Sequence, residues 1–277
     1  MKVDYKNWVP KGMAAGFLAG SAVLAAGATL AGALMPSASE QIADDTENTP
    51  DKCKWFKRVV VSTLAAGAAG TGVFGAWCIY ARKMFSYDGE RQLSRQIVEG
   101  TAERVKIPSG GVGLDVGCGS GALTIAVAKR NPDAKVIGID PWGPEYASFN
   151  KERCEENAAA EGVENVRFQN GNAVKLDFPD ETFDAVTSNY VYHNIMGKNR
   201  QELLRESLRI LKKGGTFALH DIMSKARYGD MEAFAQQLRE EGYEKVELIE
   251  TDSGLFMSQN EARLMFLKGS KLLTGIK

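Results

Sequence analysis

The chain has 277 residues, with 34 lysines and arginines against 35 aspartates and glutamates, a net charge near −1 and a mean hydropathy of −0.23. That length suits one large domain or two small ones. The balanced charge gives no basic excess for nucleic acid, and four cysteines without a Cys-x-x-Cys pair provide neither a disulfide scaffold nor a zinc spacing.

Charge is unevenly spread along the chain. Residues 12–35 and 59–81 contain no charged side chain. A helix needs about 20 apolar residues to cross a hydrocarbon core, so both stretches are long enough to be transmembrane helices. Gly12, Gly16 and Gly20 recur every fourth residue, as do Gly67, Thr71 and Gly75. Small residues at that Gly-xxx-Gly spacing let helix backbones approach closely in lipid, either within a hairpin or between copies of the chain. A polar loop, 36–58, joins the two stretches. Residues 1–83 are therefore expected to be a membrane anchor. Two spans bring residues from 84 onward back to the starting side, the cytoplasmic face. If the first stretch were instead a cleaved signal, the second would still stop transfer and leave the domain on that face.

Residues 84–277 have ordinary charge density and are expected to form one domain. Strands are predicted at 112–116, 134–139, 166–169, 183–189, 216–220, 245–250 and 271–276. Helices are predicted at 122–130, 145–161, 200–212 and 231–241. Lys212-Lys213-Gly214-Gly215 reads as a helix stop and turn. Ser258 and Glu261 form a capping-box pattern that opens another short helix. Strands alternating with helices imply an α/β fold with a mainly parallel, doubly wound sheet.

The most specific string is Val112-Gly113-Leu114-Asp115-Val116-Gly117-Cys118-Gly119-Ser120-Gly121. It ends a strand and opens a helix, and its glycines let the backbone turn sharply and a ligand come close. Asp115 is expected to face the ligand crevice. Asp140 ends the second strand, where an acid accepts hydrogen bonds from ribose hydroxyls. The spacing is Gly-x-Gly-x-Gly beside an acid, which would repel a pyrophosphate and suits a cationic amino-acid moiety.

These residues, with Phe178-Pro-Asp-Glu-Thr-Phe-Asp-Ala-Val before the fourth strand, resemble the class I S-adenosylmethionine-dependent methyltransferases, strongly over about 110–221 and in layout to the C-terminus. The resemblance implies a Rossmann-like seven-stranded sheet of order 3-2-1-4-5-7-6 with the seventh strand antiparallel, and S-adenosyl-L-methionine as cofactor. It places Asp115, Gly117, Cys118, Gly119 and Gly121 along the methionine and ribose part, and Asp140, Pro141 and Trp142 beside the nucleoside. Asn172 and Ala173 fall at the adenine position, which in the family is more often Asp. Asn189 falls at the methionine part. Independently of the resemblance, Tyr87, in Ser-Tyr-Asp-Gly before the domain's first helix, reads either as a cap on the donor pocket or as a packing residue.

Methyl transfer from a sulfonium requires alignment, exclusion of water and sometimes removal of a proton. His193 and His220 are the only histidines, and both fall at the strand ends where open α/β sheets bind ligands. With Tyr190 and Asp221 they are the candidate catalytic residues; each His reads equally as a pocket-shaping residue. No Asn/Asp-Pro-Pro-Tyr/Phe string follows the fourth strand, which argues against amide or nucleobase nitrogen as acceptor. The expected activity is methyl transfer to a small, lipophilic molecule at the cytoplasmic membrane face. A donor-binding sensor or scaffold and an NAD-dependent oxidoreductase are the alternatives.

Overall fold

The computed structural model describes residues 3–35, 49–143 and 149–277. They divide into two units. One is Asn7–Phe85; the other is Ser86–Lys277 together with the described N-terminal residues through Lys6.

The first unit is a pair of helices, α1 (Lys11–Leu34) and α2 (Thr49–Met84). Each is long and apolar enough to cross a membrane, over Gly12–Leu34 and Lys52–Met84. The second begins earlier than the uncharged stretch 59–81. Lys52, Lys54, Lys57 and Arg58 are helical residues and not loop residues, because lysine and arginine are good helix formers and prolong the helix beyond its apolar part. The remainder of the expected loop, 36–48, lies outside the described residues. The small-residue pattern divides in two. A side chain at Gly67 or Gly75 would press on Leu24 or Leu18 of α1, and Ser21 Oγ donates to the Ala68 carbonyl at 2.7 Å. Gly12, Gly16 and Gly20 have nothing within 4 Å of such a side chain, so they take no part in packing this pair.

The second unit is built on a seven-stranded sheet: β1 (Val112–Val116), β2 (Lys135–Asp140), β3 (Val166–Asn170), β4 (Phe183–Asn189), β5 (Leu211–Ile222), β6 (Lys245–Glu250) and β7 (Ser270–Ile276). Its order is β3-β2-β1-β4-β5-β7-β6, with β7 antiparallel to both neighbours. β1 lies between β2 and β4, parallel to each, so Val116 sits level with Ile139 and Ser188. The carboxyl ends of β1, β2, β4 and β5 therefore share one edge.

Strand side chains alternate between two faces. Leu114 and Val116 join Val186 and Leu219 under α6 (Arg200–Arg209) and α8 (Met231–Glu240). Ala185, Ala218 and Val136 pack on the opposite face against α3 (Leu93–Ala102) and α4 (Ala122–Arg130). α5 (Lys151–Ala160) is capped by Asn150, whose side chain accepts from the Arg153 amide. The start of the helix expected from 145 lies outside the described residues through 148. A single turn, α7 (Lys225–Tyr228), follows β5, and the capping box of Ser258 and Glu261 opens α9 (Gln259–Leu264).

Most boundaries fall within one or two residues of the sequence reading, but the junction of α6 and β5 differs by more. α6 stops at Arg209, and Leu211 pairs with Phe183 instead of extending the helix. Lys212–Gly215 then form an irregularity inside β5, with Gly214 at φ +76°, because sheet pairing captures the segment on both sides.

Gly275 sits in β7 between β5 and β6, and a Cβ there would run into the Lys245 carbonyl. Gly275→Ala should lower the unfolding free energy by about 2 kcal/mol or more, since overpacking a sheet typically costs 1–3 kcal/mol. An unchanged denaturation midpoint would count against this register.

Candidate active site

The turn leaving β1 is a close-approach structure. Gly117, Gly119 and Gly121 have φ of +74°, +56° and +85°, a region glycine enters without steric cost. A Cβ at Gly117 would also collide with Val191, which follows β4. The Gly117 and Cys118 amides both donate to the Ile139 carbonyl, at 2.8 and 3.0 Å, fixing the turn to the end of β2.

Asp140 completes this edge. Its Oδ2 accepts from the Gly119 amide at 3.0 Å and its Oδ1 from the Trp142 amide at 2.8 Å. Each oxygen retains a lone pair, as a ribose-binding carboxylate requires. Partial burial raises its pKa, opposed by these two amide bonds. Trp142 Nε1 donates to the Gly119 carbonyl at 3.0 Å, so the indole lies on the turn, after Pro141 as expected. Glycines at positive φ beside a half-buried acid at the end of β2 fit an adenosyl-amino-acid ligand.

Asp115 departs from expectation. It is 1% exposed and does not line the crevice. Thr124 Oγ1 donates to its Oδ2 at 2.7 Å and Thr187 Oγ1 to its Oδ1 at 3.0 Å, so the carboxylate ties α4 and β4 beneath the turn. Strand alternation dictates this, because Leu114 and Val116 take the other face. Burial pushes its pKa up to about 6 despite the two hydroxyl donors. Cys118 is buried, and burial pushes its thiol pKa well up; Cys154 Sγ contacts the Gly119 carbonyl at 3.2 Å. Asn172 Oδ1 accepts from the Val174 amide at 2.9 Å, shaping the loop after β3 beside buried Ala173.

The two histidines have opposite surroundings. His220 is fully buried. Its Nδ1 meets Asn189 Oδ1 at 2.7 Å and its Nε2 meets Thr251 Oγ1 at 2.8 Å. Burial lowers its pKa to about 4. With both ring nitrogens occupied and no exposed surface, His220 is a buried structural residue, and its candidacy as a base is withdrawn. Asn189 is correspondingly committed through its Oδ1 to that ring. Tyr190 is also not free to act: its hydroxyl pairs with Ser270 Oγ at 2.9 Å, and burial pushes its pKa up. Its φ of +57° places it in the left-handed region, a strained setting for a side chain of this size.

His193 differs. It lies in the 3-10 turn Tyr192–Asn194 after β4, with its side chain 15% exposed. Its Nδ1 is 2.5 Å from Asp221 Oδ1, and its own amide donates to Asp221 Oδ2 at 3.1 Å. The Ile222 amide donates to Asp221 Oδ1 at 2.6 Å, and Asp221 is fully buried. The carboxylate requires the proton on Nδ1, which leaves Nε2 as the basic nitrogen. Both residues were candidates in the sequence; their pairing was not readable there, since 28 positions separate them.

Tyr87 lies before α3 with its ring 4.5 Å from that of Tyr5, below the turn. Thr124, Thr187, Thr251, Asn157 and Tyr5 carry no sequence signal of their own, because only the tertiary fold brings them to the site.

Residues 114–219 match a family described as "Methyltransferase domain". A demethylmenaquinone methyltransferase of Geobacillus stearothermophilus is 34% identical over 113 residues, covering 40% of this chain and 45% of the relative. A 27-O-demethylrifamycin SV methyltransferase of Amycolatopsis mediterranei is 31% identical over 140 residues, covering 50% and 48%. This chain spans less than half the length of these curated relatives. The crystal structure of the [4+2]-cyclase SpnF superposes with a TM-score of 0.52 at 20% identity, over 69% of this chain and 85% of that one, a likeness of fold.

Asp140→Ala should weaken S-adenosylmethionine binding about tenfold or more, the value of a lost hydrogen-bonded pair at 1.5–3 kcal/mol. Isothermal titration checks this, and an unchanged Kd would remove Asp140 from the site. Asp115 has a raised folded pKa, so its contribution to stability is fully present below the unfolded value of 3.8 and is lost as pH rises through about 6. The stability difference between the parent and Asp115→Asn should therefore shift against the parent by on the order of 2–3 kcal/mol between pH 4 and pH 7. Parallel denaturation profiles across that window would refute the assigned shift. Over residues 114–219 this chain is therefore similar to methyltransferase domains.

Proposed function

We propose that this chain is a membrane-anchored methyltransferase that transfers a methyl group from S-adenosylmethionine to a small, lipophilic acceptor at the cytoplasmic face. The observation that carries the catalytic part is the His193–Asp221 pair on the same sheet edge as the glycine turn. When bound, S-adenosylmethionine supplies a methyl group already activated by a sulfonium. Gly117, Gly119 and Gly121 give it backbone access, and Asp140 holds the ribose. Asp115 and Asp140 set a negative local field that favours a cation.

His193 Nε2 accepts the proton of an acceptor hydroxyl as it becomes a nucleophile. Asp221 positions the ring and stabilises the imidazolium that results. That division of labour favours an acceptor with an acidic O–H. The names of the relatives, a demethylmenaquinone and a demethylrifamycin methyltransferase, point to acceptors of small-molecule size.

Membrane anchoring is supported by the first unit. Gly12–Leu34, at 1.5 Å per residue, reaches about 35 Å against a core of about 30 Å. Val23, Leu30, Leu34, Val73 and Ile79 are each more than half exposed, an arrangement that suits lipid and not water. Trp8 meets Trp77 and Phe85 at 6.1 Å each, forming an aromatic group near the end of the pair marked by Arg82 and Lys83, as at a membrane interface. Two spans return the chain to its starting side, where Lys2, Lys6, Lys11, Arg82 and Lys83 give five basic residues against four (Lys52, Lys54, Lys57 and Arg58) at the other end, a small excess in favour of the cytoplasmic side.

His193→Ala should lower methyl transfer by 10²–10⁴-fold while S-adenosylmethionine still binds. The assay follows labelled methyl from the donor into a lipid and metabolite extract. Asp221→Asn should lose much of the same rate by misorienting the ring. Full transfer by His193→Ala would exclude the base, and no transfer by the parent protein in any extract would favour a donor-binding sensor.

A further inference from the structure

We propose that residues 3–6, ahead of the first apolar helix, are a strap that positions the donor-binding turn; this rests on that turn being the S-adenosylmethionine site. The strap and the turn are joined through two side chains. Ser120, inside the glycine turn, donates its hydroxyl to the Tyr5 carbonyl at 2.6 Å. Asn157 of α5, 1% exposed, accepts from the Asp4 amide at 2.8 Å and donates to the Asp4 carbonyl at 3.1 Å. The same Asn157 Nδ2 donates to the Ser120 carbonyl at 3.0 Å. Both polar ends of Ser120 are thus held, one directly by the strap and one by the amide that also grips the strap.

Packing strengthens the link. Tyr5 is 7% exposed and shares a buried cluster with Cys118, Ile125, Cys154 and Phe168. Cys118 belongs to the turn itself. The Tyr5 hydroxyl donates to Glu161 at 2.9 Å beyond α5, and its ring lies against Tyr87. Asp4 bonds the Lys6 amide at 3.1 Å and its ammonium at 2.6 Å, turning the chain away after Tyr5. A glycine-rich turn has little side-chain packing of its own, so its shape must be imposed from outside. The strap braces it from the α4–α5 side, opposite Val191. The sequence reading assigned these residues wholly to the anchor. Their contacts place them in the catalytic unit.

Coupling between strap and donor site is reciprocal. In the full-length protein, S-adenosylmethionine should slow hydrogen exchange of the Asp4 and Lys6 amides at least threefold. Tyr5→Ala and Asn157→Leu should each raise the Kd for S-adenosylmethionine about five- to tenfold in isothermal titration. Tyr5→Phe keeps the ring and the carbonyl and should bind within twofold of the parent. A purely structural strap would instead lower the unfolding midpoint of these variants and leave both the Kd and the exchange response unmoved, which overturns the proposal. The exchange measurement uses the unaltered chain, so it decides the matter even where a variant fails to fold. A parent protein that does not bind S-adenosylmethionine would overturn the site assignment, whereas binding by the parent and equal binding by Tyr5→Ala would overturn the strap alone.

Discussion

The site depends on one steric constraint, the close approach of backbone at the turn after β1. Three glycines at positive φ make that approach possible, but they cannot hold it. Every surrounding element contributes a fixed point. The Ile139 carbonyl takes two amides of the turn, Asp140 takes a third, and Val191 occupies the space that a side chain at Gly117 would need. Parallel pairing of β1 with both β2 and β4 brings these groups to one edge. The position of the site is therefore a consequence of strand order, as in other open α/β sheets whose chain direction diverges at one strand.

Asp115 shows how this arrangement is supported from beneath. A buried carboxylate is costly unless hydrogen-bonded. Here two threonines from different elements supply the donors, so one acid links β1, α4 and β4. The cost appears as a pKa raised to about 6. The acid nearest the motif is thus a structural tie, while Asp140, 25 positions later, is the half-buried acid at the open edge and the proposed ribose partner. An acid in a motif does not by itself say which side of the strand it serves; the alternation of Leu114 and Val116 with Asp115 does.

Much of the architecture was legible in the sequence because local signals agreed. β1, α4 and β4 have the expected bounds, and the capping box at Ser258 forms. The strand order followed from the family resemblance and is the order observed. Boundaries failed where long-range pairing overrode local preference, as at Leu211, which helical spacing assigned to α6 and sheet pairing takes into β5. The site was half legible. Glycines and Asp140 are set by short-range pattern. The pairing of His193 with Asp221, the withdrawal of His220 and the docking of Tyr5 depend on residues 28, 31 and 115 positions apart. No periodicity encodes such contacts.

The two histidines make the last point about how a fold assigns chemistry. One lies at the end of a parallel strand and the other just past the end of its neighbour, and they are nearly equivalent as sequence features. His220 is on the strand itself, so the sheet surrounds it, and Asn189 and Thr251 occupy both nitrogens. Its proton affinity falls because burial strips solvation from an imidazolium, and the charge of Asp221 only partly offsets that loss. His193 is four residues beyond the end of β4, where the chain has left the sheet and part of the ring reaches solvent. Among the described residues only one of its ring nitrogens is tied, and it is tied to an anion. A base needs a free lone pair, a fixed orientation and a partner for the charge it acquires. The rim supplies all three to His193, and the strand denies the first to His220. On the proposed reading, a displacement of a few residues along the chain, from inside the sheet to just beyond its edge, separates the base from the buried histidine.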